Sequence, residues 1–256
     1  MKIYWPTFDE SMRFSKNYVY HKKDLDKWKF IKDKYNEILN RPTQKQKIPK
    51  ILHQVWLGDS MPNREIELCS QVKKYLPPDW QYKLWRNEDL KVLTNFTQKE
   101  LFDTTPSVAQ KSDLLRLHIL WEYGGVYCDT DFVLNKPFED LLDLDFFAGI
   151  VYDDIPNISN SILGSSPKNE LITDMQTLET SMLYRDGMDI INTTGQGLIT
   201  SKIFKHKNNF NNFAVLPNSF LYPFPNCPSC RNLGPEYKSY ITKETYACHL
   251  WYGSWM

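Results

Sequence analysis

Ser112-Asp113-Leu114-Leu115-Arg116-Leu117-His118-Ile119-Leu120-Trp121-Glu122-Tyr123-Gly124-Gly125-Val126-Tyr127-Cys128-Asp129-Thr130-Asp131 reads as an amphipathic helix stopped by a glycine pair. A short buried strand follows and ends in two carboxylates one residue apart. Strand side chains alternate faces, so on an extended segment Asp129 and Asp131 point the same way and can share one hard cation. Oxygen ligands suit Mg²⁺ or Mn²⁺, which keep open positions for substrate phosphate oxygens. On the helix, roughly residues 108 to 123, Asp113 and Arg116 are spaced i, i+3 and reach one side. Arg116 suits a phosphate or sugar hydroxyls, and Asp113 suits hydroxyls. Taken alone, the D-x-D spacing is equally an Asp-rich turn beside a helix-surface ion pair.

Working outward, Lys50 to Leu57 alternates into a buried strand and ends in Gly58. That puts Trp56 near a strand's carboxyl edge, where open α/β sheets gather ligands. A helix is predicted from Asn63 to Tyr75, stopped by Pro77-Pro78, then a strand from Gln81 to Trp85 and the helix from Ser107 to Tyr123. Strand and helix alternating in this way favour a mainly parallel sheet. Downstream, Asn135-Lys136-Pro137 ends the strand that carries the carboxylates, and Phe146 to Val151 is another apolar run. Asp153-Asp154 opens a loop leading to Ile158-Ser159-Asn160-Ser161-Ile162-Leu163-Gly164, in which Asn160 alone reads as a turn residue. Helix signals recur from Asn169 to Tyr184. Asn192-Thr193-Thr194-Gly195-Gln196-Gly197 precedes a helix and offers backbone N–H groups to an anion.

The chain of 256 residues suits one α/β domain with a helical appendage. Its 31 basic and 31 acidic residues cancel, so no bulk field points to nucleic acid. Aromatics make up 14%, which suits stacking on bases or sugar rings as well as a large core. No run of about 18 apolar residues and no N-terminal apolar signal core appear, so a cytoplasmic protein is expected, with the inner face of a membrane as an alternative site. Residues 9 to 40 are loosely helical, with Trp28, Ile31, Tyr35 and Ile38 in one stripe. Packing is the simpler use for that stripe, although a helix with Lys22, Lys23, Lys27, Lys29, Lys32 and Lys34 also suits a peripheral contact with an anionic bilayer. Residues 1–47 are therefore read as an N-terminal helical extension and 48–256 as the main domain. Cys69, Cys128, Cys227, Cys230 and Cys248 suit a reducing compartment. Cys227-Pro-Ser-Cys230 has the spacing of half a zinc site or of a redox pair, but two reduced thiols in a loop is the default.

The run from Ser112 to Asp131, with Ile51-Leu52-His53-Gln54-Val55-Trp56-Leu57-Gly58 upstream and His249 followed by Ser254-Trp255, resembles the sugar-transferring family with the D-x-D motif. That family groups initiating mannosyltransferases, α-galactosyltransferases and capsular polysaccharide enzymes, with a more distant likeness to clostridial glucosylating toxins. The resemblance covers roughly residues 48 to 256. It implies a GT-A-like (Rossmann-like) α/β fold with a mainly parallel central sheet flanked by helices. It also implies Mn²⁺ or Mg²⁺, a nucleotide-sugar donor (UDP-sugar ahead of GDP-sugar) and retention of anomeric configuration. Acceptors would be a glycan, a lipid-linked glycan or a protein. Carried over residue by residue, Trp56 would stack on the base, Asn160 would lie near the donor sugar or diphosphate, and Ser254 and Trp255 would close over the diphosphate. Asp131 would bind the metal directly, Asp129 would hold the ribose or a metal-bound water, and His249 would be the third ligand. The metal and Arg116 would stabilise charge as the diphosphate departs. Gln196 stands where the family usually has Pro, which puts that loop's rigidity in question.

Two rivals remain. A haloacid-dehalogenase-type phosphatase would use Asp129 as phosphoryl nucleophile and Asp131 as general acid/base, but the motif falls mid-chain and Asp153-Asp154 follows too soon. A non-catalytic sugar-binding domain would have no need of Asp129, Asp131 and His249 together.

Overall fold

The computed structural model describes residues 5–12, 25–151, 156–177, 188–206, 212–226 and 234–253. Helix α1 (Phe8–Ser11) is closed by a Thr7–Glu10 capping box, and α2 (Leu25–Asn40) comes next among the described elements. Trp28, Ile31, Tyr35 and Ile38 of α2 are all buried, so the apolar stripe is occupied by protein packing. The Tyr35 hydroxyl donates to the Pro6 carbonyl at 2.6 Å, and Trp5 meets Phe220 edge to face at 5.1 Å. Farther along, the N–H groups of Lys47 and Ile48 donate to the Leu142 carbonyl at 2.8 and 2.9 Å. The N-terminal helices thus share one apolar core with the sheet-forming part of the chain.

The predicted alternation over 51–123 is realised as β1 (Ile51–Val55), α3 (Asn63–Tyr75), β2 (Gln81–Trp85), α4 (Lys99–Thr104) and α5 (Val108–Tyr123). Then come β3 (Gly125–Cys128), β4 (Phe132–Leu134), β5 (Phe146–Ile150), β6 (Ile158–Ser165), α6 (Glu170–Met175), α7 (Met188–Thr193), α8 (Gln196–Lys205), β7 (Phe213–Leu216), α9 (Asn218–Leu221) and β8 (Ala247–His249). Six strands form the central sheet in the order β2-β1-β3-β6-β5-β7. β1 runs parallel to β2 and β3, and β5 parallel to β7, while β6 runs against both of its neighbours. The sheet is therefore mainly parallel with one reversed strand at its centre.

Three expectations need correction. The stretch from Ile158 to Gly164 is not a loop but most of β6, and Asn160 sits on a strand. Its Ser-Asn-Ser run mimics a turn because the polar side chains line a cleft instead of solvent. Helix α5 is not amphipathic: every residue from Asp113 to Leu120 is buried, since the helix lies between the sheet and α4 and α6. The third concerns the carboxylates: β3 ends at Cys128, so Asp129-Thr130-Asp131 forms a turn, and strand alternation does not aim them.

Glycines punctuate this core where nothing larger fits. Gly124 ends α5 at φ +64°, with its N–H on the Leu120 carbonyl at 2.9 Å. Beside it, His53 donates through Nε2 to the Gly124 carbonyl at 2.9 Å and accepts from Trp85 Nε1 at 3.2 Å. Burial lowers its pKa to about 4, which keeps that single neutral tautomer. A methyl group built on Gly164 would stand 1.9 Å from the Phe147 ring. Gly164→Ala is expected to cost about 3 kcal/mol by overpacking the β5–β6 contact. A drop in unfolding midpoint of roughly 10 °C would register it in a thermal melt.

Among the described residues no helix is long and apolar enough to cross a membrane.

Candidate active site

The parallel half of the sheet delivers the end of β3 to a cleft of about 640 Å³, and the turn Asp129-Thr130-Asp131 lies on its wall. After the turn the chain leaves the main sheet. β4 pairs antiparallel with β8, and the register sets Phe132 opposite His249. That pairing brings a histidine from far along the chain to the carboxylates: one ligand atom each from Asp129, Asp131 and His249 lie within 4.8 Å of one another.

Each member is held by several contacts. His249 Nε2 meets Asp131 Oδ1 at 2.9 Å, and the Tyr252 N–H donates to Asp131 Oδ2 at 3.0 Å. The imidazole stacks on Phe132 at 4.5 Å and 5°, and Trp251 lies 4.0 Å away. Its Nδ1 is buried with no hydrogen-bond partner among the described residues. Asp129 is fixed by the Tyr127 hydroxyl on Oδ1 at 2.6 Å, while its N–H donates to the Ser161 carbonyl at 2.8 Å. Gln54 Nε2 reaches the Asp129 carbonyl at 3.0 Å. Backbone and side-chain bonds, not pleat geometry, thus bring the two carboxylates together.

Arg116 forms the other half of the site. Its Nη2 lies 3.1 Å from Asp113 Oδ1 and 3.3 Å from Asp129 Oδ1, its Nη1 donates to the Asn160 carbonyl at 2.7 Å, and the guanidinium sits 4.5 Å from the Tyr127 ring centre. Asp113 accepts further bonds from Asn160 Nδ2 at 2.8 Å and from the Thr194 hydroxyl at 2.9 Å. The i, i+3 spacing therefore yields a buried pair, not a surface one. Burial pushes the Asp113 carboxyl up to about 6, opposed by Arg116 and Thr194. Burial also raises Asp129, against the pull of Arg116. In Asp131 burial acts in the same direction, but His249 and the Tyr252 N–H outweigh it and hold the carboxyl below its usual range. Asp113 and Asp129 share the Arg116 guanidinium while Asp131 meets His249, so the cluster carries more carboxylates than guanidinium charge, an excess that a divalent cation would neutralise.

Trp56 lies just past β1, half-buried on the cleft wall, with its indole N–H on the Ser60 carbonyl at 3.1 Å. Asn160, Gly195 and Gln196 also line the cleft. The Thr-Gly loop departs from expectation: the N–H groups of Thr194 and Gly195 both donate to the Ile190 carbonyl, at 3.0 and 2.9 Å. They cap α7 instead of facing an anion, and the loop's contribution is the Thr194 hydroxyl on Asp113. Helix α6 ends at Met175, short of the helix expected from Asn169 to Tyr184, and positions 178–184 of that expectation lie outside the described residues, as do Ser254, Trp255, Asp153, Asp154, Cys227 and Cys230. Cys69, Cys128 and Cys248 are buried free thiols.

Sequence reasoning passed over Tyr127 and the Tyr252 N–H, and it quoted Gln54 and Thr194 without foreseeing that their side chains reach the Asp129 carbonyl and Asp113. Tyr127 left a local trace, two residues before Asp129, and Thr194 lay in the Thr-Gly loop.

A mainly parallel sheet with one reversed strand, and a D-x-D turn at a strand's carboxyl end beside a buried Asp-Arg pair, define a GT-A-type glycosyltransferase. The comparisons with known proteins agree. Residues 62–148 match the family described as "Glycosyltransferase sugar-binding region containing DXD motif". The chain is 30% identical over 220 residues to an uncharacterized glycosyltransferase of Acanthamoeba polyphaga mimivirus, an alignment covering 81% of this chain and 84% of that one. It is also 30% identical over 136 residues to inositol phosphoceramide mannosyltransferase 1 of Schizosaccharomyces pombe, covering 51% of this chain and 42% of the relative. The chain therefore spans less than half the length of that yeast protein. Among solved structures, the PaToxG glycosyltransferase shares the fold with a TM-score of 0.55 at 18% identity, over 72% of this chain and 80% of that one. The chain belongs to the DXD-containing glycosyltransferase family, which sets the phosphatase alternative aside.

Proposed function

We propose that the chain transfers a hexosyl group, with retention, from a UDP-sugar to a hydroxyl of a glycan, glycolipid or protein, using Mn²⁺ or Mg²⁺. The observation that carries this reading is the convergence of Asp129, Asp131 and His249 beside the Asp113–Arg116–Asn160 cluster. The donor set fits the cation: two carboxylates and an imidazole with a buried, unpartnered Nδ1 suit Mn²⁺ or Mg²⁺. Bound there, the ion supplies Lewis-acid neutralisation of a departing diphosphate.

The chain's own groups divide the remaining work. Asp131 and His249 hold the ion, and Asp129 binds it through water or takes the ribose. Asp113 and Asn160 orient the sugar hydroxyls, with Asp113 accepting hydrogen bonds in its ionised form. Arg116 keeps its charge at any working pH and stabilises negative charge on the phosphates. Trp56 stacks on the base, and the family resemblance assigns Ser254 and Trp255 to the diphosphate. Retention rests on the family resemblance. The name of the yeast relative, an inositol phosphoceramide mannosyltransferase, supports a glycolipid among the acceptors. Exposed Val108 and Ile191 on the cleft wall are compatible with an acceptor that has an apolar part.

The test is a panel of UDP- and GDP-sugars incubated with Mn²⁺, Mg²⁺ or chelator, reading nucleotide release and, with an acceptor, the anomer formed. Release from a UDP-sugar that chelator stops is expected. Release indifferent to chelator would remove the metal from the mechanism, and release from GDP-sugars alone would overturn the donor.

A further inference from the structure

The end of the described chain is fastened over the D-x-D turn from two sides. Leu250 donates its N–H to the Asp131 carbonyl at 2.9 Å, and Tyr252 donates its N–H to Asp131 Oδ2 at 3.0 Å. Between them Trp251 adopts φ +60°, a left-handed backbone that a bulky L-residue takes only when its surroundings hold it there. On one side the hold is the Trp251 indole N–H, which donates to the Phe224 carbonyl at 2.8 Å. On the other it is a stack: the Arg64 guanidinium lies 3.7 Å from the centre of the Tyr252 ring.

Arg64 is an unusual residue where it stands. It occupies the first turn of α3, where the helix dipole disfavours a cation, so helix formation does not account for it. Its Nη2 donates to Glu65 Oε1 at 2.6 Å, and the Glu65 side chain is fully buried. That bond fixes the guanidinium plane and leaves its face to the tyrosine.

The geometry points to Arg64 as a positioning residue for the carboxylate that is to bind the metal, acting through the Tyr252 ring. Arg64 pins the ring, the ring fixes the peptide that carries the Tyr252 N–H, and that N–H sets the rotation of the Asp131 carboxylate. This role rests on the metal reading above, but one of its readouts does not need the metal.

The experiment compares the wild-type chain with Arg64→Ala, Tyr252→Ala and the double variant. Arg64 is half-exposed on the surface, and a melt will confirm that each variant folds. Arg64→Ala should weaken Mn²⁺ binding, measured by calorimetry without donor, about tenfold. It should also speed hydrogen exchange at the Tyr252 amide by about tenfold or more. Tyr252→Ala keeps the N–H but removes the ring, so the double variant should be no worse than either single one, and Arg64→Lys should restore part of the loss. Unchanged exchange at Tyr252 in Arg64→Ala overturns the proposal, as does additivity in the double variant. A wild-type chain that binds no Mn²⁺ would instead sink the metal reading, while the exchange measurement would still test the latch.

Discussion

Asp131→Asn is expected to lower chelator-sensitive nucleotide release by ~100-fold or more while leaving the fold intact. The asymmetry arises from the contacts. An Asn side chain can still accept the Tyr252 N–H through its oxygen and turn its NH₂ toward His249 Nε2, the two groups that Asp131 meets at 3.0 and 2.9 Å. What it cannot supply is the charge, and of the clustered carboxylates this is the one whose surroundings keep it ionised most firmly. Full turnover in Asp131→Asn, measured at saturating Mn²⁺, would remove this residue from the metal assignment.

Arg116→Leu should cost both activity and stability, the latter by about 3 to 5 kcal/mol at neutral pH, because it leaves buried carboxylates without their cation. The pH dependence separates this cause from simple loss of packing. Asp113 already sits at about 6, above its ordinary 3.8, so the native state takes up this proton before the unfolded state does. Its contribution to stability therefore falls as pH rises through that window. Without Arg116 the Asp113 and Asp129 carboxyls rise further, and the penalty is largest when both are forced to ionise. Urea titrations of the wild type and Arg116→Leu at pH 7 and pH 5 should show the gap narrowing at the lower pH. An equal gap at both would mean that the lost side chain mattered for packing alone.

How far these features can be read from sequence depends on the range of the interactions behind them. The boundaries of α3 and β2 were legible because proline stops and apolar periodicity act within a few residues. The i, i+3 pairing of Asp113 with Arg116 was legible for the same reason. Its burial was not: α5 has sheet on one side and helices on the other, and nothing local in a helix carrying Asp, Arg, His and Gln announces that. β6 was hidden because Ser159, Asn160 and Ser161 look like turn residues until β3 and β5 are placed on either side of them. Strand alternation would aim the D-x-D pair at one cation, but the two residues lie in a turn that does not obey it. Residue chemistry singled out a pair that the structure clusters with His249, and contacts from Tyr127, Gln54 and Ser161 supply the geometry.

The pairing of β4 with β8 also sets a temporal order on the molecule. Asp131 and His249 are separated by 118 positions, so closing the β4–β8 ladder is a late, long-range event in the life of the chain. A ribosome-bound polypeptide that has released everything through β7 already carries both aspartates, Arg116 and all six strands of the central sheet, but only two of the three clustered donors. Synthesis thereby imposes an order: every strand of the central sheet has been made before the residue that completes the Asp129–Asp131–His249 cluster.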